Sequence, residues 1–176
     1  MLAMQPMSLP KLYLETTIPS YLTARRSRDM QIATDQEATE SWWNLHRLDF
    51  EIFISQVVVR EVRRGDVELA AARLARIREF NVLEPTPVSE ELTVRLLADG
   101  IVPAVAADDA AHIGLAAAHA MDFLLTWNCK HINNRYTFRR IERACAACGL
   151  FCPVIATPTE LKIGRASCRE RVCLAV

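Results

Sequence analysis

The chain has 176 residues, of which 51% are hydrophobic and 24% charged, with 21 basic and 21 acidic side chains. That length and mixture suit one domain with a real core and exclude intrinsic disorder; the zero formal net charge excludes a strongly basic footprint for nucleic acid in the totals, leaving room only for a local patch. No apolar run reaches the roughly 18 residues of a membrane span, and the start MLAMQPMSLPKLYLE lacks the pattern of a signal peptide, so a soluble, cytoplasmic protein is expected.

Short strand-like runs alternate with longer helix-like ones. Lys11–Leu14 (KLYL) reads as a first strand, followed by Glu15, Thr16 and Thr17, with Pro19 opening a short helix. Asp29–Leu48 reads as a long helix with Ile32, Trp42, Trp43, Leu45 and Leu48 among its apolar positions. Phe50–Ile54 is a second strand, and Ser55 caps a helix over Gln56–Arg63. Gly65 stops that helix, and Asp66 caps the next, which runs through Leu69, Leu74 and Ile77. Phe80–Leu83 is a third strand ended by Pro85 and Pro87, and Ser89 caps a helix that runs to Asp99 and stops at Gly100. Pro103–Ala120 is mostly helix, so rich in Ala that it must pack closely against a neighbour. Phe123–Trp127 is a fourth strand, Tyr136–Cys148 a helix closed by Gly149, and Phe151–Ala156 a fifth strand. Strands separated by helices require crossover connections, which predicts an α/β protein: a three-layer α/β/α sandwich with a mostly parallel central sheet.

Residues Ile163–Val172 (IGRASCRERV) resemble a translated short-read sequencing adapter over ten consecutive positions. Residues 163–176 are therefore expected to be a non-native tail and are set apart from a single domain over residues 1–162, which holds 18 basic and 20 acidic residues. Cys129, Cys145, Cys148 and Cys152 remain in that domain. Cys145 and Cys148 have the spacing of a zinc half-site, but no second half accompanies them, and small buried core residues are the better reading of ERACAACGLFCP.

Ligands of an open parallel sheet bind outside the carboxyl ends of its strands. Polar residues recur there from distant parts of the chain: Glu15 with Thr16 and Thr17 after the first strand, and Ser55 with Glu61 after the second. Asp108 and Asp109 lie on the helix before the fourth strand, and Thr126, Trp127 and Asn128 lie at that strand's end. The chain has no Gly-rich phosphate loop and no G-x-S-x-G elbow. Converging carboxylates repel one another unless a cation separates them, and hard oxygen ligands select Mg²⁺ or Mn²⁺. Such an ion can activate water and stabilise charge at a phosphate.

Four motifs together carry a resemblance to the PIN-domain family, including VapC-type toxins: YLETTIPSYL at Tyr13–Leu22, FISQVVVREV at Phe53–Val62, AADDAAHIGLA at Ala106–Ala116 and LLTWNCKHI at Leu124–Ile132. The resemblance spans Lys11 to about Leu161 and implies a metal-dependent ribonuclease acting on RNA, with an antitoxin and a second copy of the chain as partners. By position it implies catalytic roles for Glu15, Glu61, Asp109 and Asn128, with Glu15 and Asp109 on the metal and Asp108, Thr16 and Thr126 as secondary candidates. Glu15 stands where the family usually has Asp, Asn128 brings no negative charge, and His131 occupies a place where an acid is common. The alternative is a catalytically weak module of the same fold that binds RNA or a protein.

Other residues have plainer readings. Asp108 and Asp109 sit about 100° apart on a helix, so both cannot face one pocket. His112 and His119 lie two turns apart and are expected to pack or to hydrogen-bond rather than share a metal. Trp42 and Trp43 are expected in the core or at a dimer contact. Arg25, Arg26 and Arg28 form one candidate RNA-binding cluster, and Arg135, Arg139, Arg140 and Arg143 a second, each equally compatible with a solvated surface.

Overall fold

A computed structural model describes residues 8–161. The expected tail at 163–176 lies outside the described residues. The first strand, β1 (Lys11–Leu14), has the expected bounds, and its Leu12, Tyr13 and Leu14 are fully buried, as a strand covered on both faces requires. Helix α1 (Thr17–Thr23) starts two residues before Pro19, which occupies the first turn, where the missing N–H costs no helix bond. Helix α2 (Met30–His46) is capped by Asp29, whose carboxylate accepts from the Ile32 amide at 3.1 Å, and a 3₁₀ turn over Arg47–Asp49 ends it. Strand β2 (Glu51–Ser55) leads through the Ser55 cap into α3 (Gln56–Val62), and Asp66 caps α4 (Val67–Ile77) at 2.9 Å from the Leu69 amide.

Strand β3 (Asn81–Leu83) precedes α5 (Pro87–Ala98), where the start differs from expectation. Thr86 is the cap, not Ser89. The Ser89 amide donates to the Thr86 hydroxyl at 3.2 Å, and the Thr86 amide donates to the Ser89 hydroxyl at 2.8 Å. This reciprocal box leaves Pro87 in the first helical position, so it opens the helix rather than closing the strand. A 3₁₀ turn over Ala104–Ala106 enters α6 (Ala107–Ala118); β4 (Phe123–Leu125), α7 (Phe138–Ala147) and β5 (Val154–Ala156) complete the described chain. β4 is shorter than read from the sequence, although the Thr126 amide still donates to the Ala156 carbonyl at 3.0 Å.

The five strands form one all-parallel sheet in the order β3-β2-β1-β4-β5. Tyr13 on β1 stands level with Phe53 on β2 and Leu124 on β4. The chain steps from β1 outward through β2 to β3, then crosses back to β4 and on to β5. Right-handed crossovers send the connections α1–α4 to one face and α5–α7 to the other. The packing of α1 on α2 and α4, and of α5 on α6 and α7, agrees with this division. The resulting three-layer sandwich has its topological switch point between β1 and β4, where a ligand-binding crevice is expected at the carboxyl edge.

Trp42 and Trp43 are buried against Phe50 and Phe80, so they are core residues and present no face to a base or a second chain. Ile32, Leu45 and Leu48, grouped with them in the sequence, are exposed. The neighbour required by the Ala-rich helix α6 is α5. At Gly114 an added Cβ would lie 2.5 Å from the Thr93 hydroxyl oxygen and 2.6 Å from the Ser89 carbonyl oxygen, so only glycine permits this approach. Gly114→Ala is expected to destabilise the fold by about 1–3 kcal/mol through overpacking, read from denaturant unfolding; Ala116→Gly, which creates no clash, should cost about 1 kcal/mol.

Candidate functional site

Glu15 immediately follows the central strand and is only 3% exposed. Its amide continues the β1–β4 ladder by donating to the Leu125 carbonyl at 3.1 Å. A buried carboxylate must be hydrogen-bonded, and three donors meet its Oε2 atom. They are the Thr17 amide at 3.0 Å, the Thr17 hydroxyl, and the Thr126 hydroxyl at 2.8 Å. Thr17 comes from the first turn of α1 and Thr126 from the end of β4, so both sides of the switch point hold the same oxygen. The Thr17 hydroxyl also accepts from the Trp127 amide, and the Thr126 hydroxyl from the Asn128 amide, both at 2.8 Å.

Glu61, in the last turn of α3, approaches from the other side and is half-buried. Its Oε2 accepts from the Thr16 hydroxyl and lies 3.0 Å from Nε2 of His112, while Arg64 stands 3.9 Å from Oε1. His112 is fully buried on α6, and its Nδ1 lies 2.7 Å from the Tyr13 hydroxyl, which in turn is 2.6 Å from the Ser55 hydroxyl. Ser55 therefore caps α3 and ends a continuous chain Ser55–Tyr13–His112–Glu61–Thr16. Burial pulls the His112 imidazole toward neutrality, but its hydrogen bond to Glu61 and the charges of Glu15, Glu61 and Asp109 outweigh that and raise its pKa. Burial likewise pulls Glu61 toward neutrality by raising its pKa, yet the hydrogen bond and charge of His112, with help from Thr16 and Arg64, hold its carboxyl below the ordinary range.

Asp109 lies in the first turn of α6, one turn before His112, and is half-buried. Burial raises its pKa, opposed by a hydrogen bond from the Asn128 side chain and by the nearby charges of His112 and His131. Asn128 is fixed for this role because its Oδ1 accepts from the His131 amide at 3.0 Å. Glu15, Glu61, Asp109 and Asn128 thus gather at one sheet edge, with Thr16 and Thr126 as partners of the acids. Asp108 is not among them. It turns to α3 and pairs with Arg60 and with Arg64 at 3.2 Å.

Of the candidate RNA-binding cluster, Arg26 is paired with Glu37, while Arg25 and Arg28 are exposed. Cys145 is a buried core residue, Cys148 and Cys152 are partly buried, and Cys129 is exposed. Among the described residues, one group of acid, His or Cys side chains has the geometry to hold a metal ion: Glu15, Glu61 and His112, each offering a ligand atom, all within 4.8 Å of one another. His112 and Tyr13 were not read from the sequence as parts of this site. The i, i+3 spacing of Asp109 and His112 and the i, i+2 spacing of Tyr13 and Glu15 were the signals that could have found them, since each pair shares a face.

No family model matches the chain, and no curated protein matches it. Among the described residues no helix is long and apolar enough to cross a membrane.

The opposed shifts of Glu61 and His112 define a pH window. The stability that Glu61 contributes is present above its unfolded value of about 4.3 and is lost as pH falls through its lower folded value. The part from His112 is complete below about 6.5 and is lost as pH rises through its higher folded value. Metal-free protein should therefore lose melting temperature as pH rises above about 6.5, and His112→Gln should melt lower at pH 6 with a flatter profile above it.

Proposed function

We propose that this chain is a metal-dependent endoribonuclease of the PIN type that cleaves RNA phosphodiester bonds. The observation that carries the reading is the convergence of Glu15, Glu61 and His112 within 4.8 Å at the carboxyl edge of a parallel sheet, with the charge of Asp109 near enough to act on His112. The donor chemistry fits Mg²⁺ or Mn²⁺. Both nitrogens of His112 already have partners in Tyr13 and Glu61, so the donors left over are carboxylate oxygens, which suit hard cations. All three hydrogen bonds to Glu15 fall on Oε2, and those to Glu61 from Thr16 and His112 fall on its Oε2. One oxygen of each carboxylate is thereby left for a ligand.

Glu15, Glu61 and Asp109 would hold the ion, which when bound supplies Lewis-acid stabilisation of a phosphate and activation of water. Thr17 and Thr126 orient Glu15, and Thr16 and His112 orient Glu61. The hydrogen bond and charge of His112 favour the carboxylate form of Glu61, whereas burial disfavours that of Asp109. In this reading the partners are RNA, a second copy of the chain, and an antitoxin for which the chain is the toxin.

One observation favours the second reading, a catalytically weak binding module: Glu61, His112 and Tyr13 satisfy one another in a closed hydrogen-bond chain without an ion. The same experiment separates the two. Wild type should cleave RNA with Mg²⁺ or Mn²⁺ and stop with EDTA. Mn²⁺ at a hundredfold excess over its dissociation constant should stabilise the fold by about 2.7 kcal/mol. Asp109→Asn should cleave at least 100-fold more slowly, show a smaller Mn²⁺-induced rise in melting temperature, and be no less stable than wild type without metal, because the variant no longer charges a half-buried acid. Binding of RNA with no metal-dependent cleavage would favour the module, and equal Mn²⁺-induced shifts in the two proteins would remove Asp109 from the metal.

A further inference from the structure

A second charged feature lies away from the acidic site, between α5 and α7. Arg140, Arg143, Ala144 and Ala147 follow the i, i+3, i+4, i+7 spacing of a single stripe on α7. This stripe faces the end of α5, and together they enclose a solvent-open cavity of about 280 Å³. Arg95, Asp99, Arg140 and Arg143 supply its charges, and Ile101 and Ala144 its apolar floor. Half of the arginine run 135–143 thus becomes one wall of a concave site, while Arg135 and Arg139 remain outside it.

Three guanidinium groups share this cavity with one carboxylate, so the lining carries a formal excess of two positive charges. Their protein partners are incomplete. Arg140 donates to the Asp99 carbonyl at 2.6 Å, beyond the last turn of α5. Arg95 reaches only to 3.8 Å from Glu91, too long for a hydrogen bond, and its Nε is shielded from solvent with no acceptor. Cationic side chains that line one cavity in excess of its single acid would be relieved by an anion rich in acceptor oxygens. Guanidinium forks match phosphate oxygens in pairs. The volume falls just below the range of roughly 300–1,000 Å³ usual for drug-sized ligands, so a single phosphate and a small attached group fit.

We propose that the α5–α7 cavity is a phosphate-binding site in which Arg95, Arg140 and Arg143 hold one phosphate group. Asp99 at the rim disfavours a second adjacent negative charge and can accept from a hydroxyl on the attached group. The phosphate is either that of a small phosphomonoester or one in an RNA backbone; both present anionic acceptor oxygens to the guanidinium groups. The proposal does not rest on the ribonuclease reading, because no residue is shared between the two sites.

Isothermal titration of the full chain with inorganic phosphate and with a nucleoside 5′-monophosphate, at fixed ionic strength, tests it. Wild type should bind one equivalent, and each of Arg95→Gln and Arg143→Gln should weaken binding by roughly 10-fold or more, as loss of a charge-assisted hydrogen bond requires. Arg139→Gln, on the same helix but outside the cavity, and Asp109→Asn should bind as wild type does. Arg143 is exposed, so its replacement leaves the core intact and guards against a folding artefact at Arg95. A six-nucleotide RNA that displaces the monophosphate, with the same dependence on Arg143, would assign the site to backbone phosphates; failure to displace would assign it to a small phosphomonoester. No binding to wild type, or equal binding to wild type and Arg143→Gln, would overturn the proposal.

Discussion

A carboxylate buried at the end of the central strand sets the terms for the rest of the site. Glu15 cannot leave the sheet edge, because its own amide extends the β1–β4 ladder, and its side chain must be solvated by protein donors. Thr17 and Thr126 provide them, and each hydroxyl accepts in turn from the next backbone amide, at Trp127 and Asn128. One acid therefore ties the first turn of α1, the end of β4 and the loop after it into a single unit. The loop that carries Asn128 toward Asp109 is placed by the hydrogen bonds that keep Glu15 buried.

The second half of the site depends on helix packing. Gly114 lets α6 lie against α5 with no room for a Cβ, and His112 is two residues before it on the same helix. The depth at which α6 packs therefore fixes how far the imidazole reaches toward Glu61. Once there, it is enclosed between Tyr13 and Glu61. Burial disfavours its charge, and the neighbouring carboxylates restore it. An interior carboxylate and imidazole thus hold each other ionised where either alone would be driven toward neutrality.

An electroneutral chain can still be divided into districts of charge. Acids gather at the carboxyl edge of the sheet, while Arg60 and Arg64 on α3 draw Asp108 away from that edge. Across the molecule, arginines from α5 and α7 outnumber the acids that line their cavity. Totals of 21 and 21 conceal this separation. A net charge describes solubility and long-range steering, whereas recognition follows the local excess.

Much of the fold was legible in local patterns. The β1 run KLYL, the caps Ser55 and Asp66, and the alternation of strand and helix that demands a parallel sheet depend on a few adjacent residues and their backbone. Ser89 reads as the cap of α5 from its type alone, but the reciprocal box with Thr86 and the place of Pro87 start the helix three residues earlier. The acids at the strand ends were also legible, because topology alone brings those ends to one edge. The direction of each side chain was not. Asp108 and Asp109 are adjacent and chemically identical; helix geometry says that they part, and the arginines of α3 show which way Asp108 turns. Tyr13 and His112 read as ordinary strand and helix residues; their 2.7 Å contact spans 99 positions. The sequence by itself determined the elements, their order and the polar edge, since these follow from short-range sterics and hydrophobic period. The tertiary structure alone decided which acids are paired, which histidine is buried and where the arginines converge, because those depend on distances between segments far apart in the chain.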